Sequence, residues 1–515
     1  MCGILITNRL IKDLSYIIKY LKNRGPDHTG IFELKGFSFI HVLLSMTGSD
    51  MTCQPFYYQE DDIVILFNGE IYNYKDFGNY NSDGECLIDI YKKYGDNFIK
   101  QLDGEFAIVL CDFKNNILFY STDIFSIKPL WVSIENNDIG ISSYESCLKR
   151  LGFNNINQVD PDTTVKINLN NLEILSKISV YDFDLNQYKD TYDDWNNAFE
   201  EAVLKRCRNI KHKIFIGLSS GYDSGAIACV LNKFGIDYKA YTIIGSENYD
   251  IIKKRFELIN DAEIIYLTKE KFLSQKEFLK NNCEEYFLTI DNDEQKNLEI
   301  WKKKLNEFTQ NGNKIMMNKA NKKIKIYEKA IILAKEKKLT EDNGSIGLGY
   351  ICSLARPNNQ IIYLTGSGAD EIMSDYGWNG VKHYRHSTIG GYFPEDLKSV
   401  FPWKNFFMNT QRAYLRKEEY VAGTYGIEGR YPFLDKNLVQ EFLWLKPELK
   451  NVKYKAPLHN YLEKHNFPFD INKKMGFNCG FSSAQNENIK KQIATRTDIG
   501  VTNDKSLVID KNKKK

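Results

Sequence analysis

The sequence predicts an α/β chain of two domains, an N-terminal α+β unit rich in strands followed by a C-terminal unit around a doubly wound parallel sheet. Three observations predict it. At 515 residues the chain is longer than one ordinary hydrophobic core supports, so two or three domains is the default. Roughly the first 150 residues carry apolar runs of strand length bounded by turn residues. From about Tyr192 strands alternate with helical patterns, and Gly-rich turns stand at strand C-termini; that layout builds a parallel sheet that binds ligand along that edge.

In the first half, Ile63-Val64-Ile65-Leu66-Phe67 and Phe106-Ala107-Ile108-Val109-Leu110 are expected strands. Between them residues 85–94 are expected to be helical, since Leu87, Ile88, Ile90 and Tyr91 recur at helical spacing and neither Gly nor Pro interrupts. Residues 165–180 alternate apolar and polar, as a closing hairpin does. In the second half a helix over 193–208 leads to a buried strand, Lys213-Ile214-Phe215-Ile216-Gly217-Leu218, then a Gly/Ser turn and a helix starting near Ser224. Further strands are expected near 238–244 and 264–267, and at Ile361-Ile362-Tyr363-Leu364. Residues 270–340 are rich in Lys, Asn and Glu with helical periodicity and read as a solvated helical insertion. An RNA-binding arm is the weaker reading, because acids are interspersed and no aromatic platform accompanies the lysines. The expected division is 2–187, 188–505 with that insertion, and a flexible tail over 506–515 ending Lys511-Asn512-Lys513-Lys514-Lys515.

Composition excludes several classes. Hydrophobic residues at 43% are ample for packed cores, so wholesale disorder is excluded. Lys+Arg 69 against Asp+Glu 67 leaves a net charge of +2, which points to neither nucleic acid nor a membrane surface. Apolar stretches fall short of the roughly 18–20 residues a membrane-spanning helix needs, and Met1-Cys2-Gly3-Ile4-Leu5-Ile6 lacks the charged lead of a signal peptide. Ten cysteines without a C-x-x-C pair argue against a zinc site or a disulfide framework and fit a reducing cytoplasm. Most, such as Cys111 and Cys229, read as inert core residues.

Cys2 is the exception. Once Met1 is removed it becomes terminal, and its α-amine, titrating near 8, can take the thiol proton and make a nucleophile. Alone that is weak. It gains weight from Arg24-Gly25-Pro26-Asp27, Phe67-Asn68-Gly69-Glu70-Ile71-Tyr72-Asn73, Ser82-Asp83-Gly84-Glu85, Leu102-Asp103-Gly104-Glu105-Phe106-Ala107 and Lys128-Pro129-Leu130, in that order. With Cys2 these resemble the class II glutamine amidotransferase domain. The resemblance implies an N-terminal-nucleophile (Ntn-hydrolase-like) αββα sandwich. It also implies an oxyanion hole from Asn68 and Gly69, with Asp83 and Glu70 holding glutamine. The bland reading of Asn68-Gly69 is a hairpin turn. One departure stands out: in His41-Val42-Leu43-Leu44-Ser45, Leu43 occupies the place of the family's arginine for the glutamine carboxylate, and leucine cannot pair with a carboxylate.

In the second half, Leu218-Ser219-Ser220-Gly221-Tyr222-Asp223-Ser224 follows a strand and opens a helix. Such a turn cradles phosphates with backbone amides and hydroxyls, though alone it is more often a helix cap. It resembles the S-G-G-x-D-S loop of the ATP pyrophosphatases, with Ser220 in place of a glycine, tolerable where φ is negative. Leu364-Thr365-Gly366-Ser367-Gly368-Ala369-Asp370-Glu371, Gly426-Ile427-Glu428-Gly429-Arg430-Tyr431-Pro432-Phe433-Leu434-Asp435 and Lys455-Ala456-Pro457-Leu458 extend the likeness. Together with the first half, the chain resembles the asparagine synthetase family, including its β-lactam-forming relatives.

That resemblance implies an adenine nucleotide alpha-hydrolase-like C-terminal domain. ATP would be bound by Leu218, Ser219, Ser220, Gly221, Asp223, Ser224, Ile243 and Gly366, magnesium held by Asp223 and Asp370, and charge on the reacting phosphate met by Lys455. Arg430 is read evenly as functional or as half of a buried pair. Ser367 stands where asparagine synthetases carry glutamate and lactam-forming relatives tyrosine, Ser374-Asp375-Tyr376 replaces Gly-Gly-Tyr, and His459 replaces a common arginine. The activity implied is amidation of a carboxylate, aspartate first, through an acyl-AMP, with nitrogen from glutamine or ammonia. The alternatives are the same chemistry on another acid and a non-catalytic nucleotide-binding descendant. The expected partners are small molecules, not nucleic acid or membrane, with a homodimer as the candidate assembly and the cytoplasm as the location.

Overall fold

The computed structural model describes residues 1–47, 51–245, 247–286, 294–336, 338–384, 386–470 and 506–508. In the N-terminal half two six-stranded antiparallel sheets face each other. One runs Asn157–Gln158, Trp131–Glu135, Asp138–Ser142, Gly3–Thr7, Phe37–Leu43, His28–Leu34; the other runs Ile174–Ile178, Thr164–Asn168, Ile117–Thr122, Gly104–Asp112, Ile63–Ile71, Phe56–Tyr58. The expected strands and closing hairpin lie in the second sheet.

The continuous apolar run at 63–67 has a physical reason. Val64 and Leu66 pack between the sheets with Ile4, Ile6, Phe39, Val109 and Ile141. Ile63, Ile65 and Phe67 face the opposite way, into the cluster holding Leu87, Ile88 and Ile90 of the helix Leu87–Tyr94. Both faces of the strand are therefore covered, and alternation disappears. Leu5, Ile40 and Val42 do the same on the other sheet beneath Leu14–Ile17 and Glu145–Arg150. The result is the expected four-layer αββα sandwich. The helix expected over 85–94 begins as a 3-10 turn, Asp83–Cys86, closed by a Ser82/Glu85 capping box.

The C-terminal sheet runs Glu428–Arg430, Gln360–Leu364, Lys213–Gly217, Tyr238–Ile243, Asp261–Ile265, Ser506–Val508. The first five strands are parallel and the last is antiparallel. The chain moves outward from Lys213–Gly217 in one direction and returns at Gln360–Leu364 to build in the other. These two neighbours therefore flank the switch point, where open α/β sheets bind ligands. The segment expected as an insertion contributes the helices Lys269–Asn282, Glu294–Gln310 and Lys314–Glu336. Of the tail, 506–508 form the edge strand, and Lys511 to Lys515 lie outside the described residues. Among the described residues no helix is long and apolar enough to cross a membrane.

The halves meet through buried ion pairs. Arg206 donates to Glu105 (2.8 Å) and Asp435 (2.9 Å). Lys128 reaches Glu419 (3.1 Å) and the Gly429 carbonyl (2.7 Å), and Arg24 also reaches Glu419 (3.1 Å). Three residues of the ordered motifs, Arg24, Glu105 and Lys128, thus join the domains, while Asp435 holds Arg206 from within the second half.

Candidate active sites

Cys2 opens the central strand Gly3–Thr7 of the first sheet and lies beside the end of Ile63–Ile71 in the second. Its backbone N–H donates to Asn68 Oδ1 (2.9 Å), and its carbonyl accepts from Arg24 Nε (2.7 Å). Asn68 is wholly buried, and its Nδ2 has no hydrogen-bond partner. A buried amide donor left unpaired costs about 1–3 kcal/mol; here it is held beside the thiol residue. Gly69 has φ +138° and approaches the facing strand so closely that a Cβ would lie 1.9 Å from the Glu105 carbonyl oxygen. Only glycine fits, which answers the hairpin reading: Asn68-Gly69 lie inside a strand paired with Ala107 and Phe106.

Cys2, Leu43, Gly69, Glu70, Asp83 and Glu428 line one cavity of about 30 Å³, room for about one water. Burial pushes the Cys2 thiol up to about 11, against the pull of the adjacent N-terminal ammonium. Met1 still precedes Cys2 in this chain, and its buried ammonium pairs with Glu428 (2.7 Å). Asp83 accepts from the Ile71 N–H (2.8 Å), and burial raises it to about 6. Glu70 pairs with Arg430 Nη2 (3.3 Å) and is raised by burial and by Glu428. Arg430 also binds Glu428 (2.8 Å), so it ties the two halves together rather than facing the nucleotide cleft. No Lys or Arg lines the cavity among the described residues, as Leu43 foretells.

The second site lies at the sheet's switch point, a cleft of about 370 Å³. The strand Lys213–Gly217 ends in the Ser219 turn, and Gly221 caps the helix Tyr222–Lys233. Ser224 Oγ accepts from the Ser219 N–H (3.0 Å) and bonds its hydroxyl (2.9 Å). Arg255 binds the carbonyls of Ser219 and Gly221. The parallel strand Gln360–Leu364 ends in the second turn. A Cβ on Gly366 would sit 2.7 Å from the Asp223 Cβ, so glycine lets the two loops meet.

Lys455 joins them. It caps the helix Ala456–Lys464 in a left-handed conformation, φ 47° and ψ 51°, a strained position of the kind that clusters at functional sites. Its ammonium is 2.6 Å from Asp223 Oδ1 and 2.9 Å from Asp370 Oδ1, at 2% side-chain exposure. Burial opposes its charge, but the two carboxylates prevail and its pKa is raised.

Of the residues expected at the nucleotide, Ser219, Gly221, Asp223, Ser224, Gly366, Asp370 and Lys455 line this cleft, and Leu218, Ser220 and Ile243 do not. Leu218 and Ile243 belong to the core. Ser220 turns away to Glu247, donating from N–H and hydroxyl. It is not among the residues of positive φ, so serine replaces glycine there without strain. Asp375 has a φ of 41°, where the family's glycine would sit easily. The strain at Asp375 is offset because its buried carboxylate accepts from the N–H groups of Thr388, Ile389 and Gly390 and from Asn405. His459 bonds the Tyr222 hydroxyl (3.2 Å) and Lys453 (2.8 Å).

Sequence reasoning missed Glu418, Lys417, Tyr384, His386 and Tyr414, which line the cleft with Tyr376. Glu418 Oε1 accepts from Ser367 Oγ and Oε2 from Thr365 Oγ1, both at 2.8 Å. No signal in the sequence marks it: it lies in the charged run Arg416-Lys417-Glu418-Glu419 on the helix Thr410–Thr424, where solvated residues are the ordinary expectation.

Comparison with known proteins agrees with this layout. Residues 1–178 match the family described as glutamine amidotransferase domain. The chain is 24% identical over 508 residues to the putative asparagine synthetase [glutamine-hydrolyzing] 1 of Methanocaldococcus jannaschii, covering 87% of this chain and 81% of that one. It is 22% identical over 489 residues to the asparagine synthetase [glutamine-hydrolyzing] of Asparagus officinalis, covering 88% and 71%. Among solved structures, the glutamine phosphoribosylpyrophosphate amidotransferase from B. subtilis aligns over 51% of this chain and 81% of its own at 14% identity and a TM-score of 0.30, too loose a likeness to argue from. A glutamine amidotransferase domain thus heads the chain, and asparagine synthetases are similar to it over most of its length.

Proposed function

We propose that the protein is a carbon–nitrogen ligase that takes nitrogen from glutamine and uses ATP to amidate a carboxylate through an acyl-AMP, with aspartate as the first candidate acid. The observation that carries this reading is Lys455 held between Asp223 and Asp370 at the meeting of two turns that end neighbouring parallel strands. Asp223 and Asp370 fit magnesium, which takes one or two carboxylates and fills its other positions with phosphate oxygens and water. Bound there, the ion would neutralise charge on the departing pyrophosphate.

The chain's own groups divide the labour. The hydroxyls of Ser219 and Ser224 and the N-terminus of Tyr222–Lys233 receive phosphate. Lys455 meets the charge that develops as the α–β phosphate bond breaks. At the other site Cys2, freed of Met1, attacks the glutamine amide carbon, with Asn68 Nδ2 and the Gly69 N–H receiving the oxyanion. Removal of Met1 also takes its ammonium off Glu428, a wall of a cavity too small for glutamine. Asp83 and Glu70 then face the substrate α-amine. These small-molecule substrates and a cytoplasmic setting belong to the same reading.

A second reading, the same chemistry on an acid other than aspartate, is favoured by one feature. Part of the cleft's wall is aromatic: Tyr384 and His386 stack at 5.3 Å, and Tyr376 meets His386 edge-on at 4.5 Å. An acid with a flat or apolar body suits such a wall.

The test is pyrophosphate release from ATP across a panel of carboxylic acids, with glutamine and with an ammonium salt. Release and amide formation with aspartate support the first reading, and release only with a bulkier acid the second. ATP binding without release from any acid would leave a nucleotide-binding descendant. Cys2→Ala should abolish glutamine use and spare ammonium use; equal loss of both contradicts the division of labour.

A further inference from the structure

The family's position for a proton-accepting glutamate is Ser367 in this chain, and a serine hydroxyl is a poor base near neutral pH. The structure brings a carboxylate to the same place from another element. Glu418, midway along Thr410–Thr424, projects across the cleft to the turn after Gln360–Leu364, where Ser367 Oγ and Thr365 Oγ1 each donate to one of its oxygens (both 2.8 Å). Ser367 N–H in turn donates to Thr365 Oγ1 (3.2 Å). Both oxygens are thereby fixed, each with a second lone pair to offer. Glu418, Ser367, Asp370 and Lys455 all line the same cleft.

We propose that Glu418, oriented by Ser367 and Thr365, is the base that takes the proton from the attacking nitrogen. This rests on the acyl-AMP reading above. The nitrogen lone pair forms the C–N bond at the acyl carbon, the bond from that carbon to the AMP oxygen breaks with its electron pair, and one N–H proton passes to a Glu418 oxygen. The products are amide, AMP and a carboxylic acid that returns its proton to solvent. Ser367 is a positioning residue in this scheme.

The surroundings suit the role. Burial raises the carboxyl above its ordinary value, opposed by Lys417 on the same helix and by the two hydroxyls, with Glu419 adding to the rise. Cys352 of the helix Asn343–Ala355 and Tyr431 also feel its charge. A carboxyl moved toward neutrality makes a better proton acceptor at working pH.

Glu418→Gln keeps the shape and an acceptor for the hydroxyls but cannot take a proton. With the acid and ammonium salt that support wild-type turnover, amide formation should fall about 10²–10⁴-fold while the single-turnover burst of pyrophosphate persists, and the acid limb of the pH–rate profile should disappear. The double variant S367E/E418Q, which restores a glutamate on the opposite side of the pair, should regain part of the amide formation. The idea is overturned if Glu418→Gln forms amide at the wild-type rate, if the single-turnover burst of pyrophosphate is lost along with amide formation, or if the double variant shows no recovery. A wild-type protein that releases no pyrophosphate with any acid would instead sink the ligase reading, and this inference with it.

Discussion

At the scale of the residue, Lys455 is the side chain that joins the two turns of the nucleotide cleft. Its ammonium neutralises two carboxylates at once, on a backbone that no helix would otherwise choose. Lys455→Met keeps most of the stem and deletes the charge, leaving Asp223 and Asp370 facing each other unneutralised. We expect pyrophosphate release to fall about 10²–10³-fold, with added magnesium recovering part of the stability but not the rate. Release within threefold of wild type would show that the ammonium only holds the loops. Lys455, Asp223, Cys2 and Asn68 were legible because each sits in a short motif whose chemistry demands that residue type. Glu418 was not: it meets Ser367 across 51 residues of sequence, and a glutamate beside a lysine on a helix looks the same in the sequence whether it faces water or a cleft.

At the scale of the element, strand, turn and helix were read in the right order because each leaves a local mark: an apolar run, a Gly/Ser turn, a helix cap. Local marks do not reveal which two turns will touch. The Ser219 turn and the Gly366 turn follow strands far apart in the chain that lie side by side in the sheet, and their closeness depends on the missing side chain at 366. The same limit explains Ile243, which ends a neighbouring strand but packs inward. Gly366→Ala tests the contact. Its new methyl would lie 2.7 Å from the Asp223 Cβ, so either the loops part or Asp223 turns from Lys455. We expect a stability cost of about 1–3 kcal/mol and a clear rise in the KM for ATP, measured by denaturant titration and pyrophosphate assay. Unchanged values for both would mean that the turns have room to spare.

At the scale of the molecule, the two architectures could be read from sequence, but their joint could not. Arg24, Glu105 and Lys128 look like site residues in their motifs, yet each pairs with the other domain in a dry interface. Breaking such a pair costs about 3–5 kcal/mol because it strands a buried charge. The interface also carries carboxyls of opposite temper. Glu428 and Asp435 are buried, yet the Met1 ammonium with Arg430, and Lys205 with Arg206, hold them well below the ordinary carboxylate range. Groups with depressed values add stability above their unfolded pKa, and that stability is lost only as pH falls through their folded values. Glu284 is the reverse. It reaches Ser146 of the other half, accepting from its N–H (2.8 Å) and hydroxyl (2.5 Å), and burial pushes it up to about 7. Glu371, buried beside the nucleotide cleft, is also raised to about 7. Between the unfolded value near 4 and the folded value near 7 the native chain therefore holds protons that the unfolded chain has released, so stability must decline as pH rises across that window. The melting temperature should be highest at about pH 5, falling toward pH 8 from these raised carboxyls and falling below about pH 4 as the depressed ones protonate. Glu284→Gln should flatten the neutral-side slope. A melting temperature that climbs steadily from pH 5 to 8 would mean that Glu284 is charged and well solvated in the folded protein, and that the two domains meet less tightly there than its burial implies.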